Sequence, residues 1–145
     1  MAARIIVACG SGIATSQMVA KKIDRLLREK GVETVAMDLA RCDMAEAVAQ
    51  AFRFSKLVLA TPTYNADVFP FMKDFINHLT ERNYQNRTVA FIENGSWAPM
   101  AAKVMRKMLE ASKNLTFAET TVTVKGALND VSEAQLAALA DELSK

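Results

Sequence analysis

Cys9 is the residue of this chain whose type and setting bear most directly on chemistry. It closes the apolar run from Ile5 to Ala8 and is followed by Gly10, Ser11, Gly12, Ile13, Ala14, Thr15 and Ser16, a stretch rich in glycine and hydroxyls that holds no carboxylate. Between a strand and a helix, such a segment turns backbone N–H groups and the positive end of the helix dipole toward an anion, and a phosphate suits it. The same dipole can depress a thiol pKa, so Cys9 reads either as a nucleophile or as a small buried hydrophobe at a strand end. The segment matches neither GxGxxG nor the Walker pattern, and Thr15 and Ser16 stand where a tyrosine phosphatase loop carries its arginine. Lys21 and Lys22, about two turns along, add field rather than contacts.

Two further clusters could complete a ligand site. Pro62, Thr63, Tyr64 and Asn65 lie in TPTYNADVFP, and Asn94, Gly95, Ser96 and Trp97 lie in ENGSWAP, which holds the only tryptophan. Tyr64 and Trp97 on neighbouring loops would enclose a flat heterocycle, each contact contributing roughly 0.5–1.5 kcal/mol beyond area burial; the plainer reading is that they cover the sheet end. A phosphate loop on one side and an aromatic clamp on the other describe a mononucleotide with a planar ring. Lone His78 falls on a helix with Asp74, Thr80 and Glu81 around it and reads as a surface residue. The methionines follow helical spacing and read as core filler.

Short β-rich runs alternating with helical periods must position these clusters. The pattern predicts strands over 4–8, 33–39, 56–61, 88–93 and roughly 116–124, and helices over 15–30, 43–52, 69–82, 99–112 and 132–143. The first, third and fourth strands are nearly continuous apolar runs, as expected of strands covered on both faces. The second and fifth alternate and belong nearer the edges. Gly31 should end the first helix, with Asp43 and Ser132 as N-caps and Pro99 in a first turn. Right-handed crossovers then give a three-layer α/β sandwich, a single domain over 1–145, with a five-stranded parallel sheet in order 2-1-3-4-5. Ligands of such sheets bind beyond the carboxyl ends of the strands, at the switch point between strands 1 and 3. The three clusters, over 9–16, 62–68 and 94–98, all leave those ends.

Composition narrows the function classes. The net charge of +2 comes from 18 basic and 16 acidic residues that are interspersed, which gives no footprint for nucleic acid. Two cysteines far apart without a CxxC pair argue against a disulfide framework or a thiolate zinc site, and a single histidine excludes a three-histidine zinc site or a His-and-carboxylate di-iron centre built from this chain alone. The run from Met1 to Ala8 has one charge and too short an apolar stretch to read as a signal peptide, and no stretch nears the roughly 20 apolar residues that span a bilayer, so a cytoplasmic protein with no membrane partner is expected.

Two resemblances emerge from these motifs. From about residue 38 to 145, TPTYNADVFPFMKDFINHL, VAFIENGSWAP and TVTVKGAL resemble the flavodoxin-like domain of A-type flavoproteins, the flavodiiron proteins. That resemblance implies a flavodoxin-like fold and FMN, with its phosphate on the first loop and its isoalloxazine between the other two. It also implies electron transfer with a redox partner protein or domain. Over about residues 4–30, RIIVACGSGIATSQMVAKKI resembles the phosphorylation loop of galactitol-type phosphotransferase-system IIB proteins. There the cysteine matching Cys9 takes a phosphoryl group from a IIA-type donor histidine. The loop departs from the flavodoxin pattern, with Gly10 at its opening and Gly12 one place early. The juxtaposition implies a hybrid, natural or engineered. FMN binding is the expectation, since two ring loops and a loop of suitable length remain; a cysteine phosphocarrier, or a scaffold with only a phosphate site, is the alternative.

Overall fold

The apolar runs expected at the sheet centre form its three inner strands: β1 over Arg4–Cys9, β3 over Lys56–Tyr64 and β5 over Thr88–Asn94. This computed structural model describes residues 4–9, 14–64, 67–68, 70–94, 100–125 and 128–145. Between the strands run α1 (Ala14–Glu29), β2 (Glu33–Asp38), α2 (Met44–Arg53), β4 (Asp67–Val68), α3 (Pro70–Glu81), α4 (Ala101–Leu109), β6 (Thr116–Phe117), β7 (Val122–Val124) and α5 (Asp130–Leu143). The main path is β2-β1-β3-β5-β6, with β7 also on β5, and these pairings are parallel. With β6 and β7 as one interrupted fifth strand, this is the flavodoxin-like order 2-1-3-4-5.

Strand parity splits the core into two layers, because alternate residues face opposite sides of a sheet. Ile6, Ala8, Leu57, Leu59, Val89 and Phe91 pack under α2, α3 and α4. Ile5, Val7, Cys9, Val58, Ala60 and Ile92 pack under α1 and α5.

Several boundaries differ from the sequence reading, each for a local reason. Residues 62–64 continue β3 instead of opening a loop: Pro62 pairs with Asn94, while Thr63 and Tyr64 pair antiparallel with Val68 and Asp67. Asn94 likewise belongs to β5. The fifth strand is broken because the β5 register jumps from Val89↔Phe117 to Ile92↔Val122, which leaves two more residues on the outer strand than on β5. The freed N–H groups of Glu119 and Thr120 donate to the Glu142 carboxylate on α5 at 2.8 and 3.1 Å.

The helix caps follow the same logic. Gly31, at φ +80, ends α1 with Val32 N–H on Leu27 O and Gly31 N–H on Arg28 O, a Schellman pattern that a residue at positive φ permits. Asp43 stands at the α2 N-cap, though its side chain makes no capping bond. Ser132 is not the cap of α5: Asn129 is, and Ser132 completes the box by accepting from Asn129 N at 2.9 Å while its own N–H donates to Asn129 Oδ1 at 3.0 Å. Pro99 falls outside the described residues.

Candidate functional site

Cys9 ends the central strand, with Asp38 of β2 beside it on one flank and Ala60 of β3 on the other. Its carbonyl accepts from Leu39 N at 2.8 Å, which fixes the strand to its last residue. The side chain is 3% exposed and belongs to the layer under α1. The first turn of α1 holds no acidic residue, so no carboxylate there opposes the positive end of the helix dipole.

The wall beside Cys9 is polar and charged. Gln17 Nε2 on α1 donates to Asp38 Oδ2 at 2.8 Å, Ala40 N donates to Asp38 Oδ1 at 3.0 Å, and Arg41 Nε lies 3.6 Å from Asp38 Oδ2. Asp38 thereby ties α1 to the end of β2 next to the thiol. A cavity of about 250 Å3 opens here, lined by Cys9, Gln17, Lys21, Asp38 and Arg41 over Val7, Ala20 and Ala36.

On the far side of β1, β3 and β5 stay paired to Pro62 and Asn94, so both strands reach the carboxyl edge of the sheet together. Beneath them Val19, Ala60, Thr61, Ile92 and Asn94 form an uncharged floor. Glu93 is 8% exposed and turned away from this floor. Its Oε1 accepts from Ala102 N at 3.1 Å and its Oε2 from the Thr123 hydroxyl at 3.0 Å. The N-cap position of α4, Met100, makes no side-chain capping bond, so the Glu93 carboxylate serves that helix end from the neighbouring strand.

Of the residues singled out in the sequence, Cys9 and Asn94 are placed at the carboxyl ends of β1 and β5, the strands on either side of β3. Ala14, Thr15 and Ser16 fall in the first turn of α1 instead of the loop before it. Pro62, Thr63 and Tyr64 fall at the end of β3. Gly10, Ser11, Gly12, Ile13, Asn65, Gly95, Ser96 and Trp97 lie outside the described residues, as do the side chains of 14–16 and 62–64. His78 is a surface helix residue, near Arg82 and Glu81 on its own helix. Gln17, Asp38, Arg41 and Glu93 were not singled out as site residues. An acid closing each of the strands VETVAMD and TVAFIE was the available signal, since a carboxylate at the carboxyl end of a buried sheet needs donors. Among the described residues no group of histidines, cysteines and carboxylates is arranged to hold a metal ion, and no helix is long and apolar enough to cross a membrane.

Comparison with known proteins separates the two resemblances. The family model described as "PTS system, Lactose/Cellobiose specific IIB subunit" matches residues 4–77, from β1 into α3, and so reaches beyond the single βα unit that carried the likeness in the sequence. No curated protein sequence matches the chain. Among solved structures, rubredoxin oxygen:oxidoreductase from Desulfovibrio gigas superposes with a TM-score of 0.90 at 16% identity over 97% of this chain. A flavodoxin from the domain Archaea does so at 0.83 and 14% over 97% of this chain and 96% of its own. The flavodiiron protein from Giardia intestinalis gives 0.85 at 17% over 97% of this chain. The chain spans 35% of the length of the oxidoreductase and of the flavodiiron protein. At these identities the likeness is one of fold.

Proposed function

Because the chain belongs to the family of lactose/cellobiose-specific IIB subunits of the phosphotransferase system, we propose that it is a phosphoryl carrier whose acceptor is Cys9. The observation that carries this reading is the position of Cys9 at the end of the central strand, before a helix whose first turn lacks acids, on a cavity that Lys21 and Arg41 also line. In the step itself the Cys9 thiol loses its proton and its sulfur attacks phosphorus on the phosphorylated imidazole of a IIA-type donor. The S–P bond forms as the P–N bond breaks, and the departing imidazole nitrogen regains a proton, so the donor returns as a neutral histidine. Backbone N–H groups of the segment between Cys9 and α1 would hold the phosphoryl oxygens, with the dipole of α1 opposing their charge. The test is transfer of labelled phosphoryl from a phosphorylated IIA-type protein to the parent chain and to Cys9→Ser. Label on the parent and none on the variant supports the reading; equal labelling of both, or none on either, removes it.

A second reading is favoured by the whole-chain flavodoxin fold, which includes α4, the fifth strand and α5, all beyond residue 77. In it the same crevice takes FMN, with its phosphate on residues 10–16 and its ring between Tyr64 and Trp97, and the protein serves electron transfer with a redox partner protein or domain. The uncharged floor under the ends of β3 and β5 suits a neutral ring. FMN would supply one- and two-electron chemistry when bound. Both readings use one phosphate loop, so a Cys9 thiolate and an FMN phosphate compete for it. FMN titration followed by tryptophan fluorescence tests this reading: quenching with protection of Cys9 from alkylation supports it, and no quenching at tens of micromolar, a range that detects roughly −6 kcal/mol, rejects it.

A further inference from the structure

The cavity beside Cys9 carries more charge than a buried strand end requires. Its polar lining is Gln17, Lys21, Asp38 and Arg41, and Asp38 is the direct ladder neighbour of Cys9 in the parallel β1–β2 pair. Residues paired across a parallel ladder share a face of the sheet, so the carboxylate and the thiol look onto the same space. The Asp38 carboxylate is held in place by Gln17 Nε2 and Ala40 N and is only loosely paired with Arg41, whose side chain is 76% exposed. Lys21 makes no ion pair among the described residues. On the other flank β3 offers Ala60 as the ladder neighbour of Cys9 and brings no charge.

We propose that Asp38 is a positioning residue for Cys9: it fixes the first turns of α1 through Gln17 and sets, through its charge against those of Arg41 and Lys21, how readily the thiol gives up its proton. A negative charge beside a thiol disfavours the thiolate, and a neighbouring cation favours it. Both signs of charge therefore act on the thiol in the resting protein, Asp38 against its ionisation and Arg41 and Lys21 for it. The proposal rests on Cys9 being the reactive group of the carrier reading.

The two signs are separable by experiment. In a Cys42→Ser background, where Cys9 is the sole thiol, the rate of alkylation by iodoacetamide is measured against pH for the parent, Asp38→Asn and Arg41→Ala. Asparagine keeps an acceptor for Ala40 N and a partner for Gln17 while removing the charge. Asp38→Asn should speed alkylation at pH 7 about threefold to tenfold and move the pH midpoint down, a shift of about 0.5–1 unit. Arg41→Ala should slow it by a similar factor and move the midpoint up. A merely structural role would not drive the variants in opposite directions. Equal rates for all three proteins, or both variants shifting the same way, overturn the proposal. Should Asp38→Asn fail to fold, the exposed Arg41 decides alone: slower alkylation supports the proposal and an unchanged rate overturns it. No phosphoryl donor enters this assay, so loss of transfer with the opposite shifts retained removes the carrier reading and leaves the control of Cys9 by Asp38 standing.

Discussion

Replacing Glu93 by alanine should destabilise the protein by about 3 kcal/mol, and the geometry shows where that cost arises. Glu93 is 8% exposed, and both of its oxygens accept hydrogen bonds, one from Ala102 N and one from the Thr123 hydroxyl. Ala102 is in the first turn of α4 and itself buried, so in the variant its N–H keeps no protein acceptor from this side chain. A hydrogen bond to a charged group contributes about 1.5–3 kcal/mol, and the orphaned donor retains its desolvation cost. The Thr123 hydroxyl adds roughly 1 kcal/mol more, because it can turn toward water only in part. For a chain of this size each kcal/mol lowers Tm by roughly 2–4 °C, so Glu93→Ala should melt about 10 °C below the parent. Glu93→Gln keeps an acceptor for Ala102 N and loses the charge at the helix end, a change of about 1 kcal/mol. Urea denaturation of the three proteins, with amide exchange over residues 101–105 as the local readout, checks the account. An alanine variant within about 1 kcal/mol of the parent, or a glutamine variant as unstable as the alanine one, would refute it.

Arg87→Ala should cost about 2–4 kcal/mol in the same urea assay, because the guanidinium donates to the carbonyls of Phe52, Phe54 and Gln85 and lies 5.6 and 5.2 Å from the ring centroids of Phe52 and Tyr84; Arg87→Lys should recover part of that loss. Tyr84→Phe should raise stability by about 1 kcal/mol, since the Tyr84 hydroxyl is buried with no hydrogen-bond partner among the described residues, and burial pushes its pKa above the ordinary tyrosine range against the pull of Arg87. A lower urea midpoint for that variant would show that the hydroxyl has a partner. Glu142 governs an acid-sensitive contribution: burial alone would raise its carboxyl, but the bonds from Glu119 and Thr120 and the nearby Lys145 hold it below its ordinary 4.5. A carboxylate with a depressed folded pKa contributes its stability above the unfolded value and loses it as pH falls through the folded value. Glu142→Gln should therefore cost about 1 kcal/mol at pH 7, and its gap from the parent should close in urea titrations between about pH 5 and 3.

The three inner strands were legible because burial on both faces leaves no polar choice: IIVA, LVLA and VAFI read as central strands from composition alone and are central. Gly31 was legible for a different reason, since the end of α1 requires positive φ. The break in the fifth strand was not. Its N–H groups are satisfied by Glu142, more than twenty residues along the chain, and no local pattern near Glu119 announces that acceptor. The cap of α4 was hidden in the same way, because Glu93 reaches it from another element. Ser132 misled because a serine ahead of an apolar run fits an N-cap; the box with Asn129 places it three residues inside the helix. At the site, Cys9 declared itself by position, whereas Asp38 and Arg41 gain meaning only when β2 is laid beside β1 in register.

The carrier reading is tested most directly by locating the phosphoryl group. After incubation with a phosphorylated IIA-type donor, trypsin cuts after Arg4 and Lys21 and releases residues 5–21, a peptide that contains Cys9 and not Cys42. The account predicts one phosphoryl group on that peptide, on sulfur, absent from Cys9→Ser. A peptide that remains unmodified while the donor keeps its phosphoryl group would contradict it, and FMN uptake by the same preparation would then assign the crevice to the flavin.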